Sequence, residues 1–466
     1  MSFGPMSFGR WVVAVVVSLL LVVTVAPAYA AASAPTELTL SAPGGYAEDT
    51  TSVAVVLTHS GGTPLPGVQV VVERRVSGAW QAAGTVTTGD DGSAALSQEL
   101  RRVGDDNVWR ATYAGAATYA AAVSADVLAP LRRRESVVTL SGPGRVVDER
   151  SVALTVRWRT RSGAPVAGTV YLQQRVAGAG WRRVATLRTS ADGRTQARVG
   201  PRVDTRYRVR AQGVEWVYGD RSPVLAIDNV PPRSPVALPK GAPRPRITLP
   251  PQPRAVGEGA NVTVGRIPDA VWRQMVGVSW HRGCPVGRDG LRLVRVNYWD
   301  YEGYRRRGEV VTAADAAGKI GGALAQMYLR GFPIRAMYRI DRFGYSQRLH
   351  GGNDYKSMAA GNTSAFNCRH VVNRPGVRSP HSYGRSLDVN TWENPYRSAT
   401  GLVPNTWWQA RSHPLVAWRS GSHPVVRLMR SHGLRWTYGT GDSQHFDAAR
   451  HGRVLLPQVC LDVVCH

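Results

Sequence analysis

The residues best suited to chemistry lie in two short segments toward the C-terminal end. Ser379-Pro380-His381-Ser382-Tyr383-Gly384-Arg385-Ser386-Leu387-Asp388 carries an imidazole and a carboxylate seven positions apart. Asp442-Ser443-Gln444-His445 carries a second imidazole, with a carboxylate three positions before it. Two imidazole nitrogens and one carboxylate oxygen, from His381, His445 and Asp388, form the ligand set of a zinc ion that keeps one position open. Asp442 is then left over as a general base, able to take a proton and later deliver it to a leaving amine. An oxyanion developing on a carbonyl needs a positive partner besides the metal, and Arg369 is the candidate, one arginine among many. The chain has eleven histidines, so by spacing alone this pattern is as readily structural as metal-binding. The remaining histidines, among them His281, His350, His370 and His432, are read as structural. His413-Pro414 and His423-Pro424 read as turns or helix starts.

Other hydrolase chemistries find less support. A serine penicillin-binding enzyme needs Ser-x-x-Lys, and the residues three before Lys240, Lys319 and Lys356 are Ala237, Ala316 and Asn353. No HExxH occurs. A Cys–His peptidase could draw on Cys368 with His370 or His381, but an exported cysteine from an even set is more often bridged.

The elements that must position these residues follow from local pattern. Seven residues of helix rise ~10 Å, too far for two ligands of one zinc, so the segment from His381 must turn and then enter a strand ending at Asp388. Gly384 suits the turn. A strand from Leu434 to Tyr438 and a Gly439-Thr440-Gly441 turn bring in Asp442 and His445. Leu291 to Tyr298 reads as a strand. Ala313, Ala316, Ala317, Ile320, Leu324, Met327 and Tyr328 recur at helical spacing before Gly331 and Pro333. Pro333 to Ile340 reads as a strand, and Val425 to His432 as a helix ended by Gly433. The last domain, residues 257–466, is therefore expected to be α+β.

Upstream, residues 34–230 contain an internal repeat. Ser60-Gly61, Pro66-Gly67, Trp80, Asp91-Gly92, Tyr113 and Gly115 answer to Ser162-Gly163, Ala167-Gly168, Trp181, Asp192-Gly193, Tyr207 and Gly213. Short β-branched runs separated by Asp-Gly and Ser/Gly turns predict a β-sandwich in each unit, residues 34–130 and 135–230. Both resemble bacterial immunoglobulin-like modules, without a cysteine pair across the sheets, and they offer little chemistry. Nine prolines between Pro231 and Pro253 predict an extended, semi-rigid spacer over residues 231–256.

Residues 1–30 read as a secretory signal peptide. Arg10 precedes an apolar run from Trp11 to Val25, which is shorter than the ~20 residues of a membrane span, and Ala28-Tyr29-Ala30 offers small residues for cleavage. A retained anchor is the alternative. The expectation is a secreted or cell-wall-associated protein with no stable membrane span after cleavage. The formal charge of +26 comes almost wholly from arginine, favouring polyanions such as cell-wall sugar-phosphate polymers. No motif of a known nucleic-acid reader accompanies it, so nucleic acid is not expected as a partner. Cys460 and Cys465 could close a small terminal loop, leaving Cys284 to pair with Cys368. No pair has the CxxC spacing of a cysteine zinc site.

The context of the first two segments resembles the zinc D-alanyl-D-alanine carboxypeptidase family (VanY-type), which includes L-alanyl-D-glutamate endopeptidases. Its SxHxxGxAxD pattern meets Ser379, His381, Gly384 and Asp388, with Ser386 where the pattern has Ala. Its later (D/E)xxH, followed by an aromatic and often an acid, meets Asp442, His445, Phe446 and Asp447. The resemblance spans about residues 270–455. It implies zinc held by His381, Asp388 and His445, Asp442 as base, Arg369 beside the scissile carbonyl and Ser379 near substrate. It also implies hydrolysis of an amide in the peptidoglycan stem peptide, with D-Ala-D-Ala carboxypeptidase action favoured over L-Ala-D-Glu endopeptidase action. A competing expectation is a non-catalytic wall-binding or adhesion protein, in which the repeats do the work.

Overall fold

The computed structural model describes residues 33–449. The expected signal segment and Cys460 and Cys465 lie outside them. The described chain is mostly β and multidomain. In the first β unit, strands Thr36–Ser41, Thr50–His59 and Ser93–Glu99 form one sheet. Strands Gln69–Val76, Ala79–Thr87 and Val108–Tyr113 form the body of another. Strict alternation turns Val53, Val55 and Leu57 of one sheet, and Val70, Val72, Trp109 and Ala111 of the other, into a shared core. The second unit repeats the plan. Ser136–Ser141, Val152–Thr160 and Arg194–Val199 face Thr169–Val176, Arg182–Arg188, Thr205–Ala211 and Leu225–Val230. Leu154, Val156, Trp158, Leu172, Tyr207 and Val209 lie between them.

The repeat is visible in small devices as well as in strands. Gly92 and Gly193 sit at φ +73° and +74°, and a Cβ on either would meet the carbonyl oxygen of Leu57 or Trp158 at 2.5 or 2.3 Å. Only glycine fits there. Thr88 Oγ1 donates to the Leu65 carbonyl, and Thr189 Oγ1 to the Val166 carbonyl at 2.7 Å. One correspondence in the sequence pattern is corrected by register. Trp109 opposes Arg74 and Tyr207 opposes Gln174, so Tyr207 takes the place of Trp109, not of Tyr113.

The proline-rich segment is not a free spacer. Leu238 and Ala242 pack on Trp392 and Trp408, while Ile247 and Leu249 pack on Ile340 and Phe343. Trp392 Nε1 donates to the Pro243 carbonyl at 2.7 Å, and Gln252 exchanges bonds of 2.7 and 2.8 Å with the backbone of Met337. Extended backbone leaves its apolar side chains and carbonyls available, and the last domain uses both. The second β unit is tied down too. Its Asp148 and Glu149 face Arg254 and Arg305 at 3.5 and 2.5 Å.

The last domain is built on the antiparallel pair Leu291–Trp299 and Arg305–Ala313, covered by helices Ala317–Arg330 and Pro424–Ser431. The strand expected from Pro333 to Ile340 does not form; Ala336 makes only an isolated bridge to Asn362. Its backbone is claimed by side chains instead, since Asn362 Oδ1 and Gln252 Oε1 accept from Tyr338 N and Met337 N. The expected strand at Leu434 shortens to Leu434–Arg435. A small antiparallel sheet, Ser386–Asp388 with His445–Ala448 and then Leu434–Arg435, carries the two chemical segments.

Candidate metal centre

The segment from Ser379 turns before it extends. Pro380–Tyr383 is a single 3-10 turn, Gly384 follows at φ +69°, and the strand Ser386–Asp388 begins at once. Gly384 is required twice over. Its φ is left-handed, and a Cβ there would lie 2.6 Å from Ala313 N, which donates to the Gly384 carbonyl at 2.7 Å. That bond fastens the turn to the central strand pair. Asp388 then stands directly opposite His445 in antiparallel register. Two distant segments thereby become neighbours. Beyond them, Trp418 Nε1 and Trp436 Nε1 both donate to the Ser443 carbonyl, at 2.5 and 3.0 Å, holding the turn between Asp442 and His445.

The ligand atoms converge. His381 Nε2 lies 3.2 Å from Asp388 Oδ2 and 3.2 Å from His445 Nδ1, and His445 Nδ1 lies 3.1 Å from Asp388 Oδ1. The three residues bring one ligand atom each within 4.8 Å of one another, and all are buried. The opposite ring nitrogens are anchored. His381 Nδ1 meets the Ala365 carbonyl at 2.7 Å, and His445 Nε2 meets Asp447 Oδ1 at 2.9 Å. Each anchor accepts an N–H and so leaves the inward nitrogen as a lone-pair donor, the arrangement in which outer partners fix metal-ligating histidines. The donor set therefore fits a zinc ion. Asp442 Oδ2 is 3.9 Å from His445 Nδ1, fully buried beside the triad.

The charges at the site compensate one another. Burial opposes charge on Asp388, yet His381 and then His445 hold its carboxyl well below the usual range. Burial likewise opposes charge on His445, but Asp447 and Asp388 outweigh it and push the imidazole well up. Asp447 is itself driven far down against its burial by His445, Thr437 and Ser386. Opposite charges within a few ångströms account for each direction.

Asp447 is the residue to which sequence reasoning assigned no role. It appeared there only as the acid after His445 and Phe446; its partners reveal its part. Ser386 Oγ donates to Asp447 Oδ1 at 2.7 Å and Thr437 Oγ1 to Oδ2 at 2.6 Å. Ser386, where the resemblance has alanine, thus supplies a hydroxyl to this anchor. Gln444 also reaches Asp388 Oδ2, at 3.5 Å.

Two further expected site residues are held in place by the chain's own hydrogen bonds. Ser379 is fully buried, and its hydroxyl caps the turn by accepting from His381 N at 3.3 Å. That bond orders the start of the turn that carries His381. Arg369 is also buried. Its guanidinium donates to Asp354 Oδ2 at 2.7 Å and to the His370 carbonyl at 2.9 Å, while its Nε has no hydrogen-bond partner among the described residues. The histidines read as turn residues behave so: His423 Nδ1 accepts from Val425 N at the helix start, and His413 Nδ1 accepts from Leu415 N. Cys284 and Cys368 are disulfide-bonded, which removes Cys368 as a nucleophile.

Residues 373–448 match the family model of D-alanyl-D-alanine carboxypeptidase, which places a peptidase domain at the C-terminal end of the described chain. The matched segment holds Ser379, His381, Asp388, Asp442, His445 and Asp447; Arg369 precedes it. No curated protein matches the chain. Among solved structures, a tetra-tandem repeat from the extending region of a large adhesion protein is similar at 15% identity and a TM-score of 0.29, covering 60% of this chain and 64% of that one. The chain thus spans just under two thirds of that structure. The D0-D1 domain of intimin is similar at 13% identity and a TM-score of 0.17, covering 41% of this chain and 98% of that one. The FN1-FN3 domains of chicken CNTN1 are similar at 14% identity and a TM-score of 0.20, covering 59% and 84%. None is close enough to bear on function. No described helix is long and apolar enough to cross a membrane.

Proposed function

We propose that the last domain is a zinc-dependent peptidase that hydrolyses an amide of the peptidoglycan stem peptide in the manner of a D-Ala-D-Ala carboxypeptidase. The observation that carries this reading is the convergence of His381 Nε2, His445 Nδ1 and Asp388 with Asp442 Oδ2 3.9 Å away. When bound by the triad, zinc would polarise the scissile carbonyl and make a water acidic enough to ionise near neutrality. The rest falls to the chain's own residues. Asp442 takes the proton of the attacking water and returns it to the departing amine. Its burial keeps that proton out of bulk solvent. Arg369, whose Nε has no hydrogen-bond partner among the described residues, offers a donor to the carbonyl oxygen as negative charge develops. Asp354 holds the guanidinium in place.

The ligands, Asp442 and Arg369 are each no more than 2% exposed. The family model matched over residues 373–448, described as D-alanyl-D-alanine carboxypeptidase, favours carboxypeptidase over endopeptidase action. The disulfide is consistent with an oxidising, extracellular location, in keeping with an exported protein and with two immunoglobulin-like sandwiches as spacers or wall-binding modules. The test is product analysis. The purified protein is incubated with a stem pentapeptide ending in D-Ala-D-Ala, and the products are read by mass spectrometry. Release of one D-alanine is expected. Cleavage between L-Ala and D-Glu would move the assignment to an endopeptidase, and an unchanged peptide would contradict the reading.

A further inference from the structure

The two β units carry the same outer-face device with different charge. In the first, Arg110 lies 4.4 Å from the Trp80 ring and donates to Glu73 at 2.7 Å. In the second, Arg208 lies 4.1 Å from the Trp181 ring and donates at 2.8 Å to Gln173, which stands where the first unit has Glu73. Register fixes the equivalence, since Glu73 opposes Arg110 and Gln173 opposes Arg208, each just past a shift in strand pairing. One carboxylate has become a neutral amide.

The neighbouring positions amplify the change. On Thr205–Ala211 the core takes every second residue, which turns Arg206, Arg208 and Arg210 outward. Arg175 opposes Arg206, Tyr171 opposes Arg210, and Arg183 opposes Gln173 on the next strand. Arg221 bridges to Arg210. The matching places in the first unit hold Val108, Arg110, Thr112, Arg75, Val71, Ala82 and Val123. Of the acids at the rim of the second face, Asp204 accepts from Asn229 N and Asp220 from Val138 N, both at 2.8 Å. The electrostatics differ accordingly. Glu73 raises the pKa of Arg110, whereas desolvation and then Arg221, Arg175 and Arg210 lower that of Arg208.

We propose that this outer face of the second unit, centred on Arg206, Arg208 and Arg210, binds a linear phosphodiester polymer of the cell wall. Same-face residues of a strand are spaced ~7 Å apart, which suits anionic groups repeating along a chain. Trp181 already has Arg175 at 4.9 Å and Arg208 at 4.1 Å from its ring, so it is not a free platform for stacking bases, as single-stranded nucleic acid would need. The ligand's charge pattern follows from the sheet alone; its source in the wall rests on the peptidase reading.

The test uses the full chain and measures binding without turnover, so it can fail while the peptidase reading stands. Affinity for purified poly(glycerol phosphate) is measured by calorimetry at two salt concentrations, beside a single-stranded oligonucleotide with as many phosphates and phosphatidylglycerol vesicles. The Arg206→Gln, Arg208→Gln, Arg210→Gln variant should weaken polymer binding at least tenfold and flatten its salt dependence. Removing three arginines from the opposite sheet, Arg157→Gln, Arg194→Gln and Arg198→Gln, should weaken it less than threefold. Gln173→Glu, which restores the first unit's carboxylate without disturbing the core, should weaken it by a smaller but measurable factor. Equal losses in the two triple variants, or no loss in Gln173→Glu, would overturn the face. Oligonucleotide or vesicle binding as tight as polymer binding would overturn the assignment of the ligand.

Discussion

Two clusters in the last domain bring three metal-capable residues within 4.8 Å of one another: His381, Asp388 and His445, and His281, Cys284 and Cys368. Only the first is equipped to hold a metal. Both of its imidazoles are anchored on the far nitrogen, by the Ala365 carbonyl and by Asp447. In the second, the two sulfurs are bonded to each other, so neither is a thiolate, and both ring nitrogens of His281 face backbone carbonyls, those of Arg282 and Cys368, at 3.1 Å. Proximity of ligand types is common to both. What separates them is whether surrounding partners leave lone pairs aimed inward.

That contrast is easiest to break at the ligands. His445→Ala should abolish peptide hydrolysis and bound zinc together, as measured by product release and elemental analysis. Retained zinc would move the metal elsewhere, with the cysteine cluster the first place to look. Asp442→Asn should lower kcat by ~10²–10⁴-fold, the range for a general base, while zinc content stays at the wild-type level. Loss of zinc in that variant would make Asp442 a ligand. Asp447→Asn removes the anchor of His445 and should weaken zinc affinity ~10–100-fold; competition with a chelator reads this directly, and an unchanged affinity would strip Asp447 of its role. The pair Cys284→Ser with Cys368→Ser should leave zinc stoichiometry unchanged. It should instead cost ~2–5 kcal/mol of stability, as expected for losing a native disulfide, seen in denaturant unfolding.

Much of this was legible in the sequence where local rules dominate. Gly384 and the seven-residue gap forced a turn followed by a strand, and the chain does that. The helix from Ala317 to Arg330 follows its apolar period and ends at Gly331. The pairing of Cys284 with Cys368 came from elimination. What was hidden depends on side chains acting at a distance. Pro333 to Ile340 has a strand's composition, but Gln252 and Asn362 take its backbone donors. Prolines signalled extension in residues 231–256, yet nothing in their pattern showed that Leu238, Ile247 and Leu249 would find apolar surface on the last domain. Ser379 sits in the family's motif, and nothing in its spacing showed that its hydroxyl would cap the turn at His381. Asp447 lay in plain view, and only the geometry of His445 Nε2 gives it work.

The most direct test is a zinc titration of the metal-stripped protein, following D-alanine release from a stem pentapeptide. Activity should be absent without metal and should rise linearly to a sharp break at one zinc per chain. Full activity in the stripped protein, or a rise that continues well past one equivalent, would contradict a single catalytic zinc at His381, Asp388 and His445.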